Sequence, residues 1–317
     1  MSIESGFDSL QTSVNVPADA LAKARWRRDL FKTHLVNESD VVEVRPSGSL
    51  ARGTHKDPIN DVDVVVLFAD SEHPDWNQPG QSAEDALEHV RMAVKARLGS
   101  DGTGDVRHTR IRNHSVKCFL GDPDDPDAFT VDVTPALERA EGGIWIPEQV
   151  NKRWIPSDPE FLIEVVAKRH ADWNEFARLV RVLKRWNTDH GKHMKSLTVE
   201  VLALNHLPVE PRQRALASFF AAAQEAVWYP IEDPAGLCGP IQPDLDQAAA
   251  SEALSKAADL AARAVEAEAN KERRQAQCLW NKVFGDIYPE PYGGCGTGSS
   301  LIIAPVPKRR IVDSPQG

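Results

Sequence analysis

Residues 61 to 68, DVDVVVLF, constrain this chain more than any other stretch. The run Val64-Val65-Val66-Leu67-Phe68 is apolar and mostly β-branched, and it reads as a buried strand. Yet it is entered through Asp61 and Asp63. Side chains alternate along a strand. Both carboxylates therefore leave the same face, with Cα atoms about 6.8 Å apart, while Val62, Val64 and Val66 leave the other. Like charges at that spacing repel unless a cation lies between them. An all-oxygen donor set suits Mg²⁺, with Mn²⁺ as the alternative.

A third carboxylate, Asp132 in FTVDVTP, is again flanked by β-branched residues. If its strand neighbours the first, three carboxylates converge. Such a set can hold two divalent ions about 4 Å apart, one at the attacking oxygen and one at the leaving phosphate. Thirteen residues before Asp61 stands Gly48, followed by Ser49. Glycine allows close backbone approach to a phosphate, and serine offers both its N–H and its hydroxyl. The loop between, LARGTHKDPIN, adds Arg52, His55 and Lys56.

Composition narrows the partners. The 317 residues suggest two domains. A net charge of -10 and a pI of about 5.5 argue against a general nucleic-acid binder. They leave room for a local basic pocket around a phosphorylated small molecule. The four cysteines, Cys118, Cys238, Cys278 and Cys295, form no C-x-x-C pair. No zinc or disulfide framework can be argued from them, and a reducing cytoplasm is expected. The N-terminus lacks an apolar signal region and no stretch approaches 18 apolar residues, so no membrane span is expected. His190 and His193 flank Gly191 in a loop with no third ligand nearby, and are read as non-metal residues.

Periodicity predicts a basic amphipathic helix over 16–36, a short strand before Gly48, the strand 61–68, and a helix over 80–98. DVRHTRIRNHSVKCFL and FTVDVTPAL are expected to pair as an antiparallel hairpin. Helices are expected at 159–188, 196–207, 211–226 and 244–283, the last as one helix or two. The fold class is α+β, with a mixed sheet and helices followed by a helical half.

Gly48-Ser49, eleven residues, Asp61-Val62-Asp63 and a later strand Asp132 resemble the polymerase-β-type nucleotidyltransferase superfamily. The basic N-terminal helix, Lys184 and Trp186 late on one helix, and Ser196 opening the next resemble its bacterial cGAS/DncV-like branch, the CD-NTases, from about residue 16 to 290. The resemblance implies a polymerase-β-like nucleotidyltransferase core over 1–158 with a long N-terminal helix, a helical domain over 159–291, and a tail over 292–317. It implies that Asp61, Asp63 and Asp132 are catalytic and hold two Mg²⁺ ions. It implies that Gly48, Ser49, Lys184 and Ser196 contact the triphosphate of ATP, GTP or another NTP.

The implied activity is a cytoplasmic, monomeric synthase of a cyclic di- or trinucleotide messenger in anti-phage (CBASS) signalling. The acidic balance speaks against activation by nucleic acid. The C-terminal Gly317 would suit an E1/E2-like conjugation partner. The motif order alone also leaves open nucleotidyl transfer to RNA ends or a small-molecule acceptor, and a non-catalytic antitoxin-like role. Ile231, Asp233 and Pro234 match an I-x-D-P segment of the family but lack the asparagines that often follow it.

Overall fold

The computed structural model describes residues 2–78, 80–99 and 104–295. Among them the chain divides into two compact units that are not contiguous in sequence. One holds residues 16–167 and 233–241; the other holds 2–15, 168–232 and 242–295. The first helix thus groups with the C-terminal helices rather than with the sheet, and 233–241 groups with the sheet.

In the first unit, helix α2 (Ala18–Leu35) leads into β1 (Val41–Ser47). A single helical turn, α3 (Gly48–Arg52), then precedes β2 (Asp61–Phe68) and helix α4 (Ser82–Leu98). Five further strands follow: β3 (His108–Ile111), β4 (Val116–Phe119), β5 (Thr130–Glu138), β6 (Ile144–Glu148) and β7 (Arg153–Ser157). The described strands form one mixed sheet, in the order β1-β2-β5-β4-β3, with β6 on β5 and β7 on β6. The pairing of β2 with β5 is parallel and the other pairings are antiparallel.

The sheet's two faces are built differently. Val62, Val64, Val66 and Phe68 join the main core with Ala24, Phe31 and Leu35 of α2 and Val90 of α4. Val65 and Leu67 lie in a smaller cluster with Ala136, Ile144, Ile146 and Ile155. Period two puts Asp61 and Asp63 on this second face, ahead of the apolar cluster. Proline is tolerated where ladders stop. Pro46 lies on the edge strand β1, and Pro135 falls between the stretches of β5 paired with β4 and with β6.

The expected hairpin exists as β4 against β5, but residues 105–120 are not one strand. They turn at Arg112–Ser115, where the Arg112 N–H donates to the Ser115 carbonyl at 2.8 Å. The expected helix over 159–188 is also two, α5 (Pro159–Asp172) and α6 (Phe176–Asp189). α7 (Ser196–His206) and α8 (Arg212–Ala226) follow as expected. The long Ala-rich segment forms α9 (Gln247–Ala269) and α10 (Arg273–Phe284), broken where Lys271 takes a φ of 65°.

The second unit opens with a helix the periodicity reading passed over, α1 (Ile3–Val14). Ser2 and Ser5 close a capping box at its start. Phe7 sits edge-on to Trp280 and Tyr288 at 5.1 and 5.3 Å between ring centroids. A Cβ on Gly6 would lie 2.5 Å from Tyr288 Oη, so any larger residue would have to displace that ring. No disulfide framework could be argued from the sequence, yet Cys278 and Cys295 are joined by a disulfide, while Cys118 and Cys238 take no part in one. Among the described residues no helix is long and apolar enough to cross a membrane.

Candidate active site

The third carboxylate arrives where the strand argument requires it. β2 and β5 run parallel, with Asp63 in register with Asp132 and Asp61 with Thr130. The paired strands therefore present Asp61, Asp63 and Asp132 together on the face not filled by the main core. Asp61 is exposed, and Asp63 and Asp132 are half-buried.

Gly48 closes the site from the other side. It follows Ser47, which is in register with Asp63 across the antiparallel β1–β2 ladder. Its φ is 69°, in the left-handed region that favours glycine. A Cβ added there would overlap the Asp63 carboxylate. Ser49 is the second residue of α3 and is half-exposed. Gly48 and Ser49 thus stand beside the carboxylates, although thirteen residues separate Gly48 from Asp61.

Electrostatics mark the centre of the group. Burial first, and then the charges of Asp61 and Asp132, push the Asp63 carboxyl up to about 8, against the opposing pull of Arg52 and Lys117. Two neighbours of Asp132 were not found from sequence. Lys117 faces it directly across the β4–β5 ladder, with Nζ 3.9 Å from Oδ2. The Ser115 hydroxyl donates to Oδ1 at 3.3 Å. The alternation of Val116-Lys117-Cys118 was a usable signal for a strand residue facing away from the core, but only the register shows which carboxylate it meets.

Arg52 and Lys117 do not offset the burial and like charge that drive the central carboxyl toward its neutral form, so the group has room for added positive charge. The oxygen-only donors fit hard divalent cations such as Mg²⁺. Among the described residues, His190 and His193 take no part in any cluster with metal-ligand spacing. His190 Nδ1 lies 2.8 Å from the Trp186 carbonyl instead.

Lys184 and Ser196 belong to the helical unit. Lys184, on α6, is only 3% exposed, and its ammonium lies 2.6 Å from Glu200 Oε2 on α7, a residue with no exposure. Its charge is held inside the unit rather than on an open helix face. Ser196 is exposed as the first residue of α7, and the N-cap is Lys195. Gln242 Oε1 accepts from the Lys195 N–H and the Thr198 hydroxyl, each at 2.8 Å, so the Ser196 hydroxyl is not the cap. Asp233, flagged as part of a family segment, is buried and its carboxylate accepts N–H groups from Ala235, Leu237 and Cys238. It holds a turn in the sheet unit. Gly317 lies outside the described residues.

Comparison with known proteins agrees with this architecture. A probable cyclic nucleotide synthase of Bacillus cereus (strain VD146) is 23% identical over 326 residues, covering 90% of this chain and 97% of the relative. The structure of Escherichia coli MS115-1 CdnC with ATP matches with a TM-score of 0.71 at 18% identity, over 91% of this chain and 99% of that one. Vibrio cholerae DncV in its apo form matches with a TM-score of 0.65 at 12% identity, over 89% and 93% of the two chains. At these identities the structures establish the shared polymerase-β-like fold of mixed sheet and helices. Residues 1–169 match the model of the Second Messenger Oligonucleotide or Dinucleotide Synthetase (SMODS) domain, more than half of the chain. The chain therefore belongs to the SMODS family of CD-NTases, and is a nucleotidyltransferase.

Proposed function

We propose that this enzyme joins ATP, GTP or other NTPs into a cyclic di- or trinucleotide, by attack of a ribose hydroxyl on an α-phosphate with loss of pyrophosphate. The observation that carries the reading is the register of Asp63 with Asp132, with Gly48 packed against the same carboxylate. Asp61, Asp63 and Asp132 would hold two Mg²⁺ ions, or Mn²⁺ in their place. When bound, the cations lower the pKa of the attacking hydroxyl and offset charge on the leaving group. Gly48 and Ser49 receive the triphosphate through backbone N–H and hydroxyl donors. Ser196 adds an exposed hydroxyl. Lys184 joins the triphosphate only by exchanging Glu200 for a phosphate oxygen, since its ammonium is already engaged. Positioning of this kind carries most of the catalysis in phosphoryl transfer.

The family, together with the net charge of -10, supports a cytoplasmic, monomeric enzyme of anti-phage (CBASS) signalling that is not gated by nucleic acid. The test is incubation of the purified chain with mixed NTPs and Mg²⁺, phosphatase treatment and mass spectrometry. A phosphatase-resistant cyclic product is expected, and it should vanish in Asp61→Asn with Asp63→Asn. Product formed only with an added RNA or small-molecule acceptor would overturn the reading in favour of transfer to that acceptor. Failure to bind Mg²⁺-NTP at all would leave a non-catalytic interaction protein.

A further inference from the structure

The far end of β2 carries a second convergence of metal-binding groups, unrelated to the three aspartates. Asp40 immediately precedes β1, and its carbonyl accepts the Ala69 N–H at 2.9 Å. His73 closes the 3₁₀ turn Asp70–Glu72 that follows β2, and His89 lies on α4. The Nε2 atoms of both histidines lie 2.8 Å from the same oxygen, Asp40 Oδ2. One ligand atom from each of the three residues falls within 4.8 Å of the others. Their sequence separations are 33 and 49 residues from Asp40, so no short motif announces them.

The two imidazoles are fixed by more than their hydrogen bonds. His73 stacks on Trp76 at 3.8 Å between centroids and 18° between planes. Phe68 stands edge-on to His73 and His89 at 5.4 and 5.3 Å. Phe68 and Trp76 are themselves buried. An apolar wall thus sets both ring orientations and aims both Nε2 atoms at one point. Shells of this kind fix the first ligands of metal centres.

We propose that Asp40, His73 and His89 form a site for a late first-row divalent cation, Zn²⁺ by the chemistry of its ligands. Two imidazole nitrogens and one carboxylate oxygen favour Zn²⁺, Ni²⁺ or Cu²⁺ over Mg²⁺. Metal–ligand bonds of about 2.0–2.2 Å in a tetrahedron separate neighbouring ligand atoms by about 3.4 Å. The 2.8 Å contacts therefore open by roughly half an ångström on binding. Binding through Nε2 requires each ring to be neutral with its proton on Nδ1, and Asp40 exchanges its two imidazole contacts for the cation. Water takes the fourth position beside His89, whose side chain is 41% exposed. The bound ion would tie α4 and the turn after β2 to the entry of β1. Phe68 lies five residues beyond Asp63, about 17 Å along the strand, so the site is separate from the proposed Mg²⁺ centre and does not depend on it.

The test uses the full chain, freed of metal with EDTA. Titration with Co²⁺ is followed by visible absorption, and Zn²⁺ binding by competition with a chelating dye. The expected result is one micromolar or tighter equivalent, with intense four-coordinate Co²⁺ bands. Binding should persist in Asp61→Asn with Asp63→Asn, and fall at least about tenfold in His89→Gln and in His73→Gln. His89→Gln alters a half-exposed ring, and its fold is checked by circular dichroism. Wild-type protein without such an equivalent, His89→Gln that binds as wild type, or binding lost with the aspartates instead would each overturn the proposal in favour of a hydrogen-bonded cluster alone.

Discussion

The two units treat charge removed from water in opposite ways. In the helical unit, Lys184 and Glu200 are almost completely buried, and each finds its counter-ion at 2.6 Å. In the sheet unit, three carboxylates share one patch of sheet, and Arg52 and Lys117 do not keep Asp63 from being pushed up to about 8. A matched pair is complete in itself and serves the fold. An unmatched group has its electrostatic energy lowered by a proton or by a ligand that brings positive charge, and so is a candidate for where the ligand goes. Four predictions break or sharpen this contrast.

The largest expected effect is on the matched pair. Lys184→Met leaves Glu200 charged and buried, and should lower stability to urea by about 3–5 kcal/mol. Lys184→Met with Glu200→Leu should recover most of that loss. If the double variant regains stability but not turnover, Lys184 also serves the triphosphate; recovery of both would assign it to folding alone.

Gly48→Ala comes next. It forces a side chain into a left-handed conformation and against Asp63, and should cost roughly 1–3 kcal/mol together with most of the activity, read by thermal melting and product assay. Third is the pH response of the unmatched group. The folded-state pKa of Asp63 is raised, so the native protein binds more protons than the unfolded chain between about pH 4 and 8. Metal-free stability should therefore fall as pH rises through that window, by on the order of 1–2 kcal/mol once solvent screening is allowed for. Saturating Mg²⁺ should flatten the fall, and Asp63→Asn should remove it while leaving the enzyme inactive. Urea unfolding at pH 5 and pH 8, with and without EDTA, measures this. The smallest effect is Ser196→Ala. Because Lys195 is the cap, stability should change by less than about 0.5 kcal/mol, while KM for NTP rises roughly tenfold for one lost hydrogen bond.

What was legible in the sequence follows from how local each signal is. Asp61 and Asp63 were readable because strand period fixes their shared face from two adjacent residues. Asp132 was readable as a strand residue, but its register with Asp63 depends on a parallel pairing across 69 residues, which no local pattern encodes. Lys184 was reached through family resemblance, yet its partner Glu200 comes from the next helix, and a buried pair reads in sequence like two surface charges. The signal for α1 was present, in Ile3, Phe7, Leu10 and Val14 at helical spacing, and was simply not taken. β6 and β7 are five residues each with a proline inside, and offer too little pattern to distinguish them from loop. Asp40, His73 and His89 meet only through tertiary packing.

The absence of a side chain at residue 48 has one more consequence. The backbone that would receive a phosphate rests directly on a carboxylate that would receive a cation. Neither can move without displacing the other, so occupancy at one alters the free energy of binding at the other. Thermodynamic linkage makes that influence reciprocal: nucleotide should tighten Mg²⁺ by the same factor by which Mg²⁺ tightens nucleotide. The enzyme would then take up nucleotide and cation together, with part of the triphosphate charge already offset, rather than as separate ions.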